Sequence, residues 1–152
     1  MNNVDLIRFV YDSFSKGDAA SVLGAFDDAV EFRLMEGHPY QPTGKPWIGK
    51  DAVAQNFFMR AAPEWDRWTI QIVEIVETTN GVVVEARYHG TFKPTRKVMD
   101  LQVCHVWKVS NGKVTSFQQY VDTAGLHEVM GAMVSRRHQR ITQSGTTRQP
   151  RQ

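Results

Sequence analysis

The stretch His105–Thr123, HVWKVSNGKVTSFQQYVDT, leaves the chain the fewest ways to fold. Two alternating segments flank Ser110-Asn111-Gly112, and Asn-Gly is the pair that most readily supplies the positive φ angles of a tight turn. The pattern predicts a β-hairpin. In its second strand Gln118, Tyr120 and Asp122 recur at a spacing of two, so an amide, a phenol and a carboxylate leave one face of the sheet. The turn decides what they meet, because a one-residue slip exchanges the two faces. A two-residue loop at Asn111-Gly112 pairs His105 with Gln118 and Val103 with Tyr120; a three-residue loop with a bulge puts Cys104 and Gln102 there instead. The first is favoured, since its odd-numbered set, Leu101, Val103, His105 and Trp107, is the more apolar and suits a pocket-facing side.

Upstream, Ile7, Val10, Tyr11 and Phe14 recur at spacings of three and four, which predicts an amphipathic helix over 4–15 with Asn3 as its cap. Asp18 caps a second, shorter helix carrying Val22, Leu23 and Phe26. A first strand is expected over 29–34. Residues 35–49 are punctuated by proline and glycine and hold His38, Tyr40 and Trp47, the composition of a lid or rim loop. A third helix is expected over 50–62, stopped by Pro63. Four β-rich runs come next, 68–78, 82–92, 98–109 and 113–121, with connections short enough for a curved antiparallel meander. A weaker helix, interrupted by Gly125 and Gly131, spans 124–134.

At 152 residues the chain is one domain, expected over 1–134, with an Arg-rich, disordered tail over 135–152. The formal charge of +2 hides this division: the tail carries Arg136, Arg137, Arg140, Arg148 and Arg151 with no acid, so removing them leaves −3 on the body. That tail lacks interleaved aromatics, and nucleic acid is not an expected partner. One cysteine, Cys104, asks for no oxidising compartment, and no segment approaches the roughly 18 apolar residues of a membrane span. A cytoplasmic protein without membrane contact is expected. His38, His89, His105, His127 and His138 show no HxH, HExxH or CxxC spacing, and no glycine-rich phosphate loop occurs. Neither a metal nor a nucleotide cofactor is expected.

The order of an aromatic-rich strand, an Asn-Gly-Lys turn, a strand ending Tyr-x-Asp and a short amphipathic segment resembles the SnoaL-like branch of the nuclear transport factor 2 superfamily. That superfamily also includes ketosteroid isomerase, limonene-epoxide hydrolase and the polyketide cyclases. The resemblance covers roughly 4–130, and GKVTSFQQYVD is its most specific part. It implies an α+β fold: a cone-shaped, curved, antiparallel (mixed) sheet with three N-terminal helices on its concave face. It also implies a homodimer joined through the outer sheet face.

The polyketide cyclases use the aspartate of the last strand as general base, and Asp122 stands at that motif position. A carboxylate in a ring-lined pocket has its pKa raised toward that role. The competing reading is that Asp122, at a strand-to-helix junction, caps the helix. Two relatives are disfavoured. Limonene-epoxide hydrolases place Arg-x-Asp where this chain reads Arg87-Tyr88-His89, and the isomerase base falls at Phe32 or Arg33, with Glu31 one step away.

The resulting expectation is a cofactor-independent isomerase or cyclase acting on a small apolar molecule that bears a carbonyl. Asp122 would remove an α-proton, and Tyr120 or His105 would steady the enolate oxygen. Gln118, Tyr40, Trp47, Trp68, Trp107 and Val103 would form the binding wall. The alternatives are a non-catalytic module of the same fold that binds a hydrophobic ligand or dimerises, and a protein-interaction domain.

Overall fold

The computed structural model describes residues 1–131. The Arg-rich tail, the expected domain boundary and the last three residues of the helix expected over 124–134 lie outside them. Helix α1 spans Asn3–Ser15 and is capped by Asn2, whose Oδ1 accepts from the Asp5 amide at 2.8 Å. Its apolar stripe, Leu6, Ile7, Val10 and Tyr11, is buried. Asp18 caps α2, Ala19–Gly24, as its spacing implied.

Strand β1 covers Phe26–Arg33, and a two-residue β2, Trp47–Ile48, pairs back onto it. The third helical stretch is interrupted: α3, Lys50–Val53, passes through a π-turn segment, Ala54–Phe58, into α4, Met59–Glu64. Pro63 lies inside the last turn and does not stop the helix where expected. The extra residue of a π-turn rotates the helix beyond it, and such turns gather at functional sites. Here it lets the adjacent Phe57 and Phe58 both reach the interior.

The meander then runs β3, Trp65–Thr78; β4, Gly81–Phe92; β5, Lys97–Ser110; β6, Lys113–Val121; and α5, Thr123–Met130, closes the described chain. The sheet order is β2-β1-β6-β5-β4-β3, with β1 parallel to β6 and every other pairing antiparallel. The result is an open, curved six-stranded sheet with the N-terminal helices packed on one face. The fold implied by the sequence is the fold observed. No described helix is long and apolar enough to cross a membrane.

Two irregularities set which side chains face inward. The hairpin turn is the two-residue one, with Asn111 at φ 51° and Gly112 at φ 71° and Ser110 opposite Lys113. One extra residue then enters β6: Val109 pairs with Val114, but Lys108 already pairs with Ser116. This bulge moves His105 opposite Gln119 and Cys104 opposite Tyr120. The odd-numbered face of β5 is indeed the buried one, but Phe117, Gln119 and Val121 share it, not Gln118 and Tyr120. In β3 the register shifts between Asp66 and Thr69, where Arg67 takes φ 55°. That bulge lets Trp65 and Trp68 face inward together despite their odd spacing.

Candidate functional site

Most of the expected loop "lid" is a plug. Gln41 is buried, its Oε1 accepting from the Leu34 amide at 2.8 Å and its Nε2 donating to the Phe32 carbonyl at 3.1 Å. Tyr40 donates to Glu64, receives Trp65 Nε1 at 3.0 Å and lies under the Arg60 guanidinium, 4.3 Å from ring centre. His38 is buried beside it and accepts from the Tyr40 amide at 3.0 Å. Trp47 stacks on Phe32 at 5.9 Å. Tyr40 and Trp47 are thus taken up in packing contacts, and neither borders the cavity.

The carboxylate expected to act as base is elsewhere. Asp122 is exposed and is the N-cap of α5, with Oδ1 accepting from the Gly125 amide at 3.0 Å. The bulge in β6 put it, with Gln118 and Tyr120, on the outer face, where Tyr120 is 49% exposed. A water-exposed carboxylate bonded to the first turn of its own helix has no view of the interior. The helix-cap reading of Asp122 is the one the structure bears out. On the same outer face Arg87 Nε donates to Asp100 at 2.9 Å, an exposed ion pair of small energetic value.

The interior holds a cavity in two steps. An inner chamber of about 40 Å³ lies between α1, the π-turn segment and the sheet. A vestibule of about 200 Å³ adjoins it, and Phe14, Phe57, Phe58 and Trp68 border both. A water needs some 10–15 Å³ of such space, so the inner chamber admits a few heavy atoms and the vestibule a ring or two. The chamber walls are almost wholly aromatic or aliphatic, and no carboxylate, lysine or arginine borders it among the described residues. Trp107 and Phe117, 4.5 Å apart, close its floor. Val103 is buried on β5 but does not border the chamber.

The polar groups of the chamber form one chain. Trp107 Nε1 donates to the Tyr11 hydroxyl at 3.0 Å; that hydroxyl meets His105 Nδ1 at 2.6 Å. His105 Nε2 meets the Tyr88 hydroxyl at 2.5 Å, and Gln119 Nε2 donates to the same hydroxyl at 3.0 Å. Burial pulls the His105 pKa down to about 3, so the imidazole is neutral and can give one hydrogen bond and accept one. Burial likewise lifts both phenols above their ordinary value and keeps them protonated. Trp68 adds a second feature: its Nε1 is buried without a hydrogen-bond partner among the described residues. Buried indole N–H groups ordinarily find one.

His105, Trp68 and Trp107 of the expected site thus meet in one place, while Asp122, Tyr120, Gln118, Tyr40, Trp47 and Val103 do not join them. Sequence reasoning missed Tyr11, Tyr88 and Gln119. A signal existed for the tyrosines, because each is a phenol set in an apolar stripe, Ile7–Phe14 or Val84–Tyr88, where a buried hydroxyl must find a partner. Among the described residues no group of three His, Cys, Asp or Glu could hold a metal ion.

Comparison with known proteins places this geometry. Residues 7–117 match the SnoaL-like domain family. An NTF2-like protein from Burkholderia thailandensis has 27% identity and a TM-score of 0.79, covering 86% of this chain and 98% of its own. TerC, co-crystallised with polyporic acid, has 22% identity and a TM-score of 0.75, covering 85% and 98%. A proposed polyketide cyclase from Xanthomonas campestris has 20% identity and a TM-score of 0.72, covering 84% and 95%. No curated protein matches. The match spans most of the chain, and the protein belongs to the SnoaL-like domain family.

Proposed function

We propose that this protein takes a small apolar molecule with a carbonyl oxygen into the two-step cavity, carbonyl end first, and acts on it as an isomerase or cyclase. The observation that carries this reading is the pairing of ring-built walls with hydrogen-bond donors that lack acceptors of their own. Trp68 Nε1–H is one. The Trp107–Tyr11–His105–Tyr88–Gln119 chain holds another, because its hydrogens outnumber its internal acceptors. A carbonyl or enolate oxygen is an acceptor only, and it fits both.

Neutral donors fixed in a dry cavity stabilise charge that develops on an oxygen, which is the electrophilic half of enolisation and of aldol-type ring closure. A base on the outer face has no part in this. TerC, of the same fold, was co-crystallised with polyporic acid, in keeping with a small organic ligand. The test is affinity for matched pairs, β-tetralone against tetralin, by isothermal titration. A ketone hydrogen bond worth about 1.5 kcal/mol predicts roughly tenfold tighter binding of the ketone. Equal affinity for both, or binding of neither, overturns the reading.

A further inference from the structure

The chamber's hydrogen-bond chain holds one hydrogen too many. Trp107 Nε1–H and Gln119 Nε2–H each fill one acceptor site, on Tyr11 and Tyr88 respectively. The two links to His105 need one hydrogen apiece, while two hydroxyls and one imidazole N–H supply three between them. If His105 carries its hydrogen on Nε2, Tyr11 donates to Nδ1, the imidazole donates to Tyr88, and the Tyr88 hydrogen has no acceptor in the chain. If the hydrogen sits on Nδ1, the mirror arrangement leaves the spare hydrogen on Tyr11. Both phenols and His105 border the chamber. The two tautomers therefore present the same neutral site with its free hydrogen at opposite ends.

We propose that Tyr11, His105 and Tyr88 form a neutral proton relay that enolises a carbonyl compound without a carboxylate base. This rests on the carbonyl-binding reading above and adds the residues that move the protons. Starting from the Nε2–H tautomer, the free Tyr88 hydrogen passes to the carbonyl oxygen, and the Nε2 hydrogen passes to the Tyr88 oxygen. The Tyr11 hydrogen moves to Nδ1, and the Tyr11 oxygen takes a hydrogen from the α-carbon. The C–H pair becomes the new C=C bond, and the C=O π pair becomes the O–H bond. All partners begin and end uncharged, and the enzyme is left in the Nδ1–H tautomer with its free hydrogen on Tyr11. Once the Tyr11 hydroxyl has exchanged its hydrogen with solvent, returning a hydrogen from it to carbon, with the enol hydrogen taken back by Tyr88, restores the starting form and leaves solvent hydrogen on the α-carbon. Tyr11 and Tyr88 are the catalytic residues; His105 acts through them.

Such a relay fits a chamber in which, among the described residues, these three are the titratable wall groups. Trp107 and Phe117, whose rings pack on His105, and Gln119, opposite it on β6, do not titrate. The experiment is exchange of the α-hydrogens of β-tetralone in D2O, followed by proton NMR. The wild type should exchange faster than buffer, at a rate flat between pH 6.5 and 9. Tyr11→Phe, Tyr88→Phe and His105→Gln should each lose at least a hundredfold of that rate. Tyr11→Phe should still bind the ketone within tenfold of wild type, because Trp68 Nε1 and Tyr88 stay. A rate limb titrating inside the pH window, or a folded Tyr11→Phe that exchanges normally, overturns the relay. Should the variants fail to fold, the wild-type rate in mixed H2O and D2O decides: a curved dependence on deuterium fraction supports several protons in flight, and a straight line overturns it. Ketone binding without exchange sinks the relay alone, whereas no ketone binding sinks the carbonyl-binding reading itself.

Discussion

Replacing Tyr88 by Phe removes one oxygen and leaves two buried partners without theirs. The hydroxyl accepts from Gln119 Nε2 at 3.0 Å and meets His105 Nε2 at 2.5 Å, in a residue that is 4% exposed. Each orphaned buried polar group costs about 1–3 kcal/mol, and the imidazole can choose the tautomer that leaves the cheaper orphan. The total loss is then about 2–4 kcal/mol. Gln119→Leu alone should cost about 1 kcal/mol, because Tyr88 keeps its His105 bond and the other contact of the side-chain amide among the described residues is a long one, Met35 N to Gln119 Oε1 at 3.5 Å. The double variant should then be no less stable than Tyr88→Phe, since removing the amide removes one orphan. Urea unfolding of the four proteins measures this as a double-mutant cycle, provided the slope m is unchanged. Simple additivity of the two single effects, or a Tyr88→Phe loss below about 0.5 kcal/mol, would refute the bonded chain from which the site is argued.

Acid should destabilise the protein in a defined window. His105 and His38 both have pKa values pulled down to about 3, first by burial and, for His38, also by His127 and Arg60. Unfolded histidine binds its proton near 6.5, so stability is whole above that value and falls as pH drops from 6.5 toward 3. Each histidine contributes a slope of about 1.4 kcal/mol per pH unit, and thermal melts between pH 7 and 4.5 should show it; a His105→Gln variant with an unchanged slope would contradict it. Asp122→Ala should cost about 1 kcal/mol through the lost cap and leave ketone affinity unaltered; a selective loss of ligand binding at unchanged stability would return Asp122 to the site. Gly81→Ala should unfold or severely weaken the protein, because a Cβ there would sit 1.8 Å from the Trp107 carbonyl oxygen; a normal melting temperature would contradict the close approach of β4 and β5.

Much of the architecture was legible because it comes from periodicity and turn chemistry. Ile7, Val10, Tyr11 and Phe14 announce α1, Asp18 announces the cap of α2, and Asn111-Gly112 fixes a two-residue turn. The inward face was not legible, because one residue of bulge in β6 and another irregularity in β3 reverse the parity on which every facing argument depends. The alternation rule pointed Gln118, Tyr120 and Asp122 together correctly, but toward solvent. No local pattern marks the bulge at Thr115, between Val114 and Ser116. The π-turn at Ala54–Phe58 hides for the same reason, since its sequence, AQNFF, reads as ordinary helix. His105 was found because an imidazole on an apolar strand face demands partners; which partners, Tyr11 from α1 and Tyr88 from β4, only the packing decides.

The indole N–H resonances give the most direct view of where a ligand sits. The chain has four tryptophans, and Trp68 alone among them carries a buried N–H without a partner among the described residues. Titrating β-tetralone into 15N-labelled protein should move the Trp68 indole proton downfield as it gains a carbonyl acceptor, with the Tyr120 and Asp122 amides still. A stationary Trp68 signal accompanied by shifts at Tyr120 and Asp122 would place the ligand on the outer face and contradict the aromatic chamber as the site.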